Sequence, residues 1–409
     1  MLDLFKNKNF VSLLSARFIT NIGDSMYYIA AMWLVYKLGG SAFYSGVAGF
    51  LTTFPSALSF LTGPIVNRSS IKKLLIFSQL TQALLLSFIP IAFLTGKLSV
   101  LLVLFIMPIV SFLNQFSFPA ENALLPRILP KDARVKGNSL MSFAYEGSTI
   151  MFSAISGILV ALIGAVMLYM ADIATFMIAA LLFAGLKLPK LAPKERQPVP
   201  NAVSHYFTDL KEGFSFITHS VVGKLLIGSA PLNFATNALV AILPAYADRI
   251  GGSSMYGFLL AGLSIGSLAG ALMANPFQKC PFGAFMIVGF SLGSVCWLLS
   301  AIIPIFLFKA IFLGAAFSTI GAINVLSFSF LQNTVPENFL ARSFTVTSSI
   351  SISLSPAGAL IGGLLASKFG SSVIYTLLSF SMIFFAVYVL CIRSLRSLPS
   401  IDSAKLKQI

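Results

Sequence analysis

Residues 72–94 read KKLLIFSQLTQALLLSFIPIAFL, two lysines followed by a run that carries no charge up to Leu94. A helix rises about 1.5 Å per residue, so this run is about the length needed to cross a ~30 Å hydrocarbon core. The pattern repeats on both sides of it. Apolar stretches occupy 10–36, 43–66, 72–94, 99–121, 138–163, 165–187, 220–247, 255–276, 283–303, 305–331, 343–366 and 373–393, with short polar connections between most of them. Hydrophobic residues make up 57% of the chain, mean hydropathy is +0.93, and 10% of residues are charged, against about a quarter in soluble domains. The sequence therefore predicts an all-α integral membrane protein with twelve transmembrane helices. Closed β-barrels also satisfy the backbone in lipid, but their strands alternate polar and apolar residues, and these runs do not.

Basic residues set the orientation. With the N-terminus inside, most of the 27 lysines and arginines fall on cytoplasmic segments, including Lys72, Lys73, Arg127, Lys131, Arg134, Lys136 and Arg342. The outer side receives Lys37, Lys97, Arg249, Lys309 and Lys368. The positive-inside rule then puts both termini in the cytoplasm. The net charge of +15 is scattered over loops facing an anionic leaflet, which argues against nucleic acid as a partner. Arg17, Asn21 and Asp24 interrupt the first stretch, so it does not read as a cleaved signal peptide. Cys280, Cys296 and Cys391 have no ligand spacing, and neither a disulfide framework, a metal site nor a cofactor is expected.

The one long hydrophilic connection, 188–219, carries Pro189, Pro193, Pro198 and Pro200 among charges and divides six spans from six. Its second part, about 203–218, has Phe207, Leu210, Phe214 and Ile217 at helical spacing and reads as an interfacial helix. The expected organisation is a six-helix half at 1–187, a cytoplasmic linker at 188–219, and a second six-helix half with a tail at 220–409. A shift of 206 residues lays "PKDARVKGNSL", Gly157 and Gly164 over "PENFLARSFTV", Gly363 and Gly370. A shift of 205 lays Ile22-Gly23 over Ile227-Gly228 and leaves Ser229 opposite Asp24. Parallel duplication of this kind is one known construction of transporters.

Several segments carry a resemblance to a known family. "ARFITNIGDSMYYIAAMWLVYKL" (16–38), "FPAENALLPRILPKDARVKGNSLM" (118–141) and "VPENFLARSFTVTSSISISLSPAGALIGGLLASKFG" (335–370), with the 6+6 arrangement, resemble the major facilitator superfamily. Within it they are similar to the branch of macrolide-efflux and enterobactin-exporter-like proteins. The resemblance implies two pseudo-repeats around a central cavity. It also implies secondary active export of amphipathic or cationic small molecules from a bacterial inner membrane, by proton antiport in a monomer. Gating residues transferred from the pattern are Gly63, Asn67, Arg68, Lys72, Arg134 and Arg342. Two departures stand out. Asn67 occupies the place of an acid that locks the inner gate in the family, so a weaker inner latch is expected. The G-P-x-x-G-G run of span five is absent, and "SPAGALIGG" (355–363) in span eleven is the related sequence.

An ionisable residue near mid-bilayer is costly and marks function by default. Arg17, Asn21, Asp24 and Tyr28 recur at i, i+4, i+7 and i+11, one face of the first helix. Arg17 and Glu146 lie at similar depth from the inner side and are expected to pair. Asp24 lies near the midplane with no cation at its depth, where burial favours the neutral acid. Asp24 and Glu146 are thus the candidate proton-coupling residues; for Asp24 the alternative is a packing hydrogen bond. The resemblance assigns spans one, four, seven and ten to the cavity, which adds Asn114, Gln115, Asn233, Asn237 and Asn324, and Pro231 as a potential kink. It places span six at the periphery, where Asp172 reads as a satisfied packing residue. Glu121 reads as an anchor for the loop after span four. Tyr28, Phe54, Phe112 and Phe116 are candidates for an apolar pocket wall.

A lipid, lysolipid, siderophore or peptide is the alternative cargo, and membrane lipids are the expected surroundings. An enzyme has little support: His205 and His219 sit on the interfacial segment, and no nucleophile, paired-carboxylate or metal constellation gathers at one depth. No G-x-x-x-x-G-K-[ST] run occurs, so ATP is not the direct energy source in this chain. A channel or a receptor would share the helices, and turnover separates them.

Overall fold

A computed structural model of the protein describes residues 2–57, 62, 65–66, 69–130, 133–188, 221–334 and 354–401. Among these residues every regular element is helical. The first part holds α1 (Lys8–Gly39), α2 (Ala42–Ala57), α3 (Ile71–Leu94), α4 (Val100–Asn114), α5 (Ser117–Ile128), α6 (Arg134–Ser142), α7 (Ser148–Ile163) and α8 (Ala165–Ala184). The second holds α9 (Val221–Ile250), α10 (Gly252–Leu272), α11 (Phe282–Ile302), α12 (Phe306–Thr334), α13 (Ser355–Phe369) and α14 (Ser371–Cys391). Each apolar stretch of the sequence is helical over most of its described length, and eight helical segments among the described residues are long and apolar enough by themselves to cross a membrane.

Two spans depart from simple rods. The fourth is broken at Gln115–Phe116 and continues to Ile128, past the expected end at 121. Pro119 explains the break: it offers no N–H to the carbonyl of Gln115, and its ring crowds that carbonyl. The chain closes the gap with tight bonds, Gln115 N–H to Phe112 O (3.1 Å) and Phe116 N–H to Leu113 O (3.3 Å). The fifth span passes from α6 to α7 through a π-turn at Phe143–Gly147. Such a turn loosens the backbone ladder and leaves carbonyls for side chains to satisfy.

The chain divides into two compact units, Met1–Leu191 with Leu243–Ala261, and Ala192–Ile242 with Gly262–Ile409. In the first unit, α8 buries a stripe of Leu168, Asp172, Phe176, Ala179 and Phe183, at helical spacing, against α1 and α3. Gly23 makes the close approach of α1 and α8 feasible, because a Cβ there would overlap Thr175 and Asp172. Near the N-terminus of α1, Phe10, Leu13, Leu75, Leu124 and Phe183 form a packed core. Asn7 caps α1 there, accepting from the N–H groups of Asn9 and Phe10, and donates to Ile128 O at 2.8 Å. At the far end of α1, Trp33 stacks on Tyr256 with centroids 5.2 Å apart, and the Tyr256 hydroxyl donates to Ile29 O. Lys37 reaches Asp248 at 2.5 Å, and Tyr36 donates to the same carboxylate.

In the second unit, α11 lies between α12 and α14 with Trp297 buried against Phe317 and Tyr375. Lys309 is buried on α12 and donates to Ser300 O and Ala301 O, satisfying carbonyls at the end of α11. Helices α10 and α12 touch backbone to backbone at Gly266, where any side chain would collide with Gly314.

Candidate functional site

The centre of the site is a buried ion pair on α1 and α5. Arg17 is 3% exposed and Glu121 1%. The guanidinium grips the carboxylate through Nε, 3.1 Å from both oxygens, and Nη2, 2.7 Å from Oε1. Tyr145 closes the cluster: its hydroxyl donates to Glu121 Oε2 at 2.7 Å, and its ring lies 4.6 Å under the Arg17 carbon. Among the described residues the partner of Arg17 is Glu121, and one expectation is corrected. Glu121 is no loop anchor, because the fourth span runs on to Ile128 and leaves it inside the helix. Glu146 lies in the π-turn, and its side chain is outside the described residues.

Asn21, one turn after Arg17, ties the π-turn to α1. Its amide nitrogen donates to Ala144 O (2.5 Å), Tyr145 O (3.0 Å) and Ser148 Oγ (3.1 Å), while its oxygen accepts from Arg17 Nη1. Ser148 also donates to Ala144 O. The carbonyls left by the π-turn are thereby satisfied. Asn21→Ala should strand them and destabilise the protein by about 1–3 kcal/mol, the usual cost of an unmet buried hydrogen-bonding group. Thermal unfolding of the purified protein in detergent checks this, and an unchanged midpoint would count against the role.

One turn further, Asp24 faces a cavity of about 440 Å³. Arg17, Asn21, Asp24, Tyr28, Asn114 and Gln115, all sequence candidates, line it together. Asn114 Nδ2 donates to Asp24 Oδ2 at 3.1 Å, and Gln115 bonds back to Ser111 O. The break at Gln115–Phe116 puts both amides at the end of α4, beside Asp24. Ser25, Ser117, Phe118 and Tyr145 complete the lining and were missed in the sequence. Pro119 was the available signal for Ser117 and Phe118, and nothing in the sequence marked Tyr145. Of the four aromatics proposed for the wall, Tyr28 lines the cavity. Phe116 is in the packed core, with Phe112 edge-on to it, and Phe54 is exposed against Phe50.

The other candidates have different surroundings. Lys72 donates to Leu186 O (2.8 Å), and Arg134 to Pro126 O (2.9 Å) and Leu129 O (3.3 Å), so both close helix C-termini. Asn237 donates to Asn233 O and to Ser355 Oγ (3.1 Å), joining α9 to α13 within the second unit. Helix α9 continues through Pro231. Asn324 is exposed on α12. Gly63, Asn67, Arg68 and Arg342, and the expected interfacial helix at 203–218, lie outside the described residues. Asp172 is not satisfied: it is fully buried, and its Oδ2 has no partner among the described residues.

A long helical chain with a polar cavity behind one charged helix narrows the comparison, and the sequence matches the transmembrane secretion effector family over residues 2–408. The chain belongs to that family, within the major facilitator superfamily. The chain is 24% identical over 376 residues to the uncharacterized MFS-type transporter YvqJ of Bacillus subtilis (strain 168), covering 90% of this chain and 88% of that one. It is 23% identical over 405 residues to the multidrug efflux pump Tap of Mycolicibacterium fortuitum, covering 94% and 96%. It is 23% identical over 410 residues to macrolide efflux protein A of Streptococcus pyogenes, covering 95% and 97%. Among solved structures it resembles an inward-facing bacterial homolog of the human lysosomal transporter Spinster, with a TM-score of 0.67, 14% identity and 97% of each chain covered. It also resembles the nucleoside transporter NupG, with a TM-score of 0.65, 12% identity, and 93% and 98% covered. At these identities the structural likeness carries the fold alone. The chain is a multi-pass membrane transporter of this fold, not an enzyme.

Proposed function

We propose that this transporter exports amphipathic or cationic small molecules by proton antiport, with Asp24 as the group that alternates between proton and cargo. The supporting observation is the division of labour on α1. Arg17 is held by Glu121 in a direct ion pair, while Asp24 faces the cavity with the Asn114 amide as its hydrogen-bond partner among the described residues. A carboxylate in that position attracts a cation when ionised and releases it when protonated. Tyr28 and Phe118 add aromatic surface suited to a hydrophobic cation. The named efflux pumps among the relatives fit export as the direction. The basic loops fit an inner-membrane placement with cytoplasmic termini.

The sign of the pH dependence follows. Proton and cation compete for Asp24, so binding of a lipophilic cation strengthens as pH rises and the proton leaves, and weakens as pH falls. Fluorescence polarisation of ethidium against purified protein across pH 5–9 tests this. Affinity that is flat, or that falls with rising pH, would count against competition at Asp24.

A further inference from the structure

Behind α1, on the side away from the cavity, lies a second acidic cluster that the export reading leaves unused. Asp172 sits on α8, fully buried. Its Oδ1 accepts from the Thr175 hydroxyl at 3.1 Å, and its Oδ2 has no partner among the described residues. The hydroxyls of Tyr27 and Tyr169 are also buried without a partner among the described residues. The two tyrosine rings meet edge to face with centroids 5.7 Å apart. The helix geometry brings the three together. Tyr169 and Asp172 share one face of α8 at i, i+3, and Gly23 and Tyr27 share one face of α1 at i, i+4. Gly23 has no side chain, so the Asp172 carboxyl lies against the α1 backbone immediately before Asp24.

Among the described residues no cation acts on this cluster. Among the described residues the titratable groups acting on Asp172 are Asp24 and Tyr27 from α1 and Tyr169 from α8 itself. Helices α3 and α7 also pack on α8 and contribute none. An ionised Asp172 would be a buried charge with one hydroxyl for company and a second carboxylate across the helix, which costs several kcal/mol. A proton on Oδ2 removes that charge, so that the group left without a partner is a neutral acid.

We infer that Asp172 is a second proton-binding site of the transporter, held as the neutral acid in this conformation and titrating jointly with Asp24 across the gap left by Gly23. The step is a proton transfer alone. An O–H bond breaks on one carboxyl and forms on the other or on water, and total charge is conserved. When Asp24 is ionised it opposes loss of the Asp172 proton, and when Asp24 is neutral that opposition is gone. The inference extends the antiport reading, but its test uses no cargo, so either can fail alone.

The test is infrared spectroscopy of the full chain in lipid nanodiscs, following the C=O stretch of protonated carboxylic acids from pH 6 to 10. Wild type and Asp24→Asn should both show such a band at neutral pH, and Asp172→Asn should lack it. On alkalinisation the band should vanish at a pH about one lower in Asp24→Asn than in wild type. Gly23→Ala, which forces the two helices apart, should abolish that difference when combined with Asp24→Asn. Absence of a neutral-pH band in Asp24→Asn overturns the assignment even if Asp172→Asn does not fold. Equal titration of the band with and without Asp24 overturns the coupling.

Discussion

Glu121→Gln should destabilise the protein by about 3–5 kcal/mol, the usual cost of breaking a buried ion pair from one side. The substitution keeps the shape and most of the hydrogen-bonding capacity of the side chain, so the loss isolates charge. Arg17 would remain 3% exposed with no carboxylate against it. Tyr145 could still accept the guanidinium on its ring, but a cation–π contact offsets only about 1–2 kcal/mol. Removing both charges is a different matter. Arg17→Met with Glu121→Leu fills a similar volume without a buried ion and should recover much of the lost stability, because the pair gains little over apolar packing once desolvation is counted. Thermal unfolding of the single and double variants reads this as a double-mutant cycle. If Glu121→Gln unfolds like wild type, the pair carries no such weight. The pair thus holds α1 to α5.

Asp24→Asn should leave folding nearly intact and abolish uphill export. The new amide keeps the size of the carboxyl and offers Asn114 an oxygen to donate to, so the contact between α1 and α4 survives. What is lost is the ability to change charge. The variant resembles the protonated state, so a pH gradient has no group on which to act in the cavity, and ethidium binding should lose its dependence on pH. A purely packing role for Asp24 predicts the reverse, with gradient-driven export close to wild type.

Much of this site could be read before the fold was known, for a simple reason: helical periodicity alone places Arg17, Asn21, Asp24 and Tyr28 on one face. Asn114 and Gln115 followed from their place in the fourth span. Glu121 did not, because apolar runs locate a helix in lipid without showing where a proline breaks it or how far it continues past the break. With the end of the span set at 121, Glu121 belongs with the loop, and depth from the inner side alone pairs Arg17 with Glu146. Tyr145 depends on a π-turn, a backbone choice that no residue in Phe143–Gly147 announces. Asp172 reads as satisfied from the peripheral place that the resemblance gives span six; its orphan oxygen depends on which neighbours α1 and α8 present, and only the packed structure supplies those. The amides of the second half were legible as polar residues in apolar helices, but one of them, Asn237, joins two helices.

The central claim is that export and proton movement are one process passing through Asp24. Its most direct test is to load proteoliposomes with a pH-sensitive dye, add ethidium at equal pH on both sides, and follow proton flux with ethidium transport. Wild type should move protons opposite to ethidium, and Asp24→Asn should move none. Equal proton flux in the two proteins, or ethidium transport by wild type with no proton flux, would contradict the account.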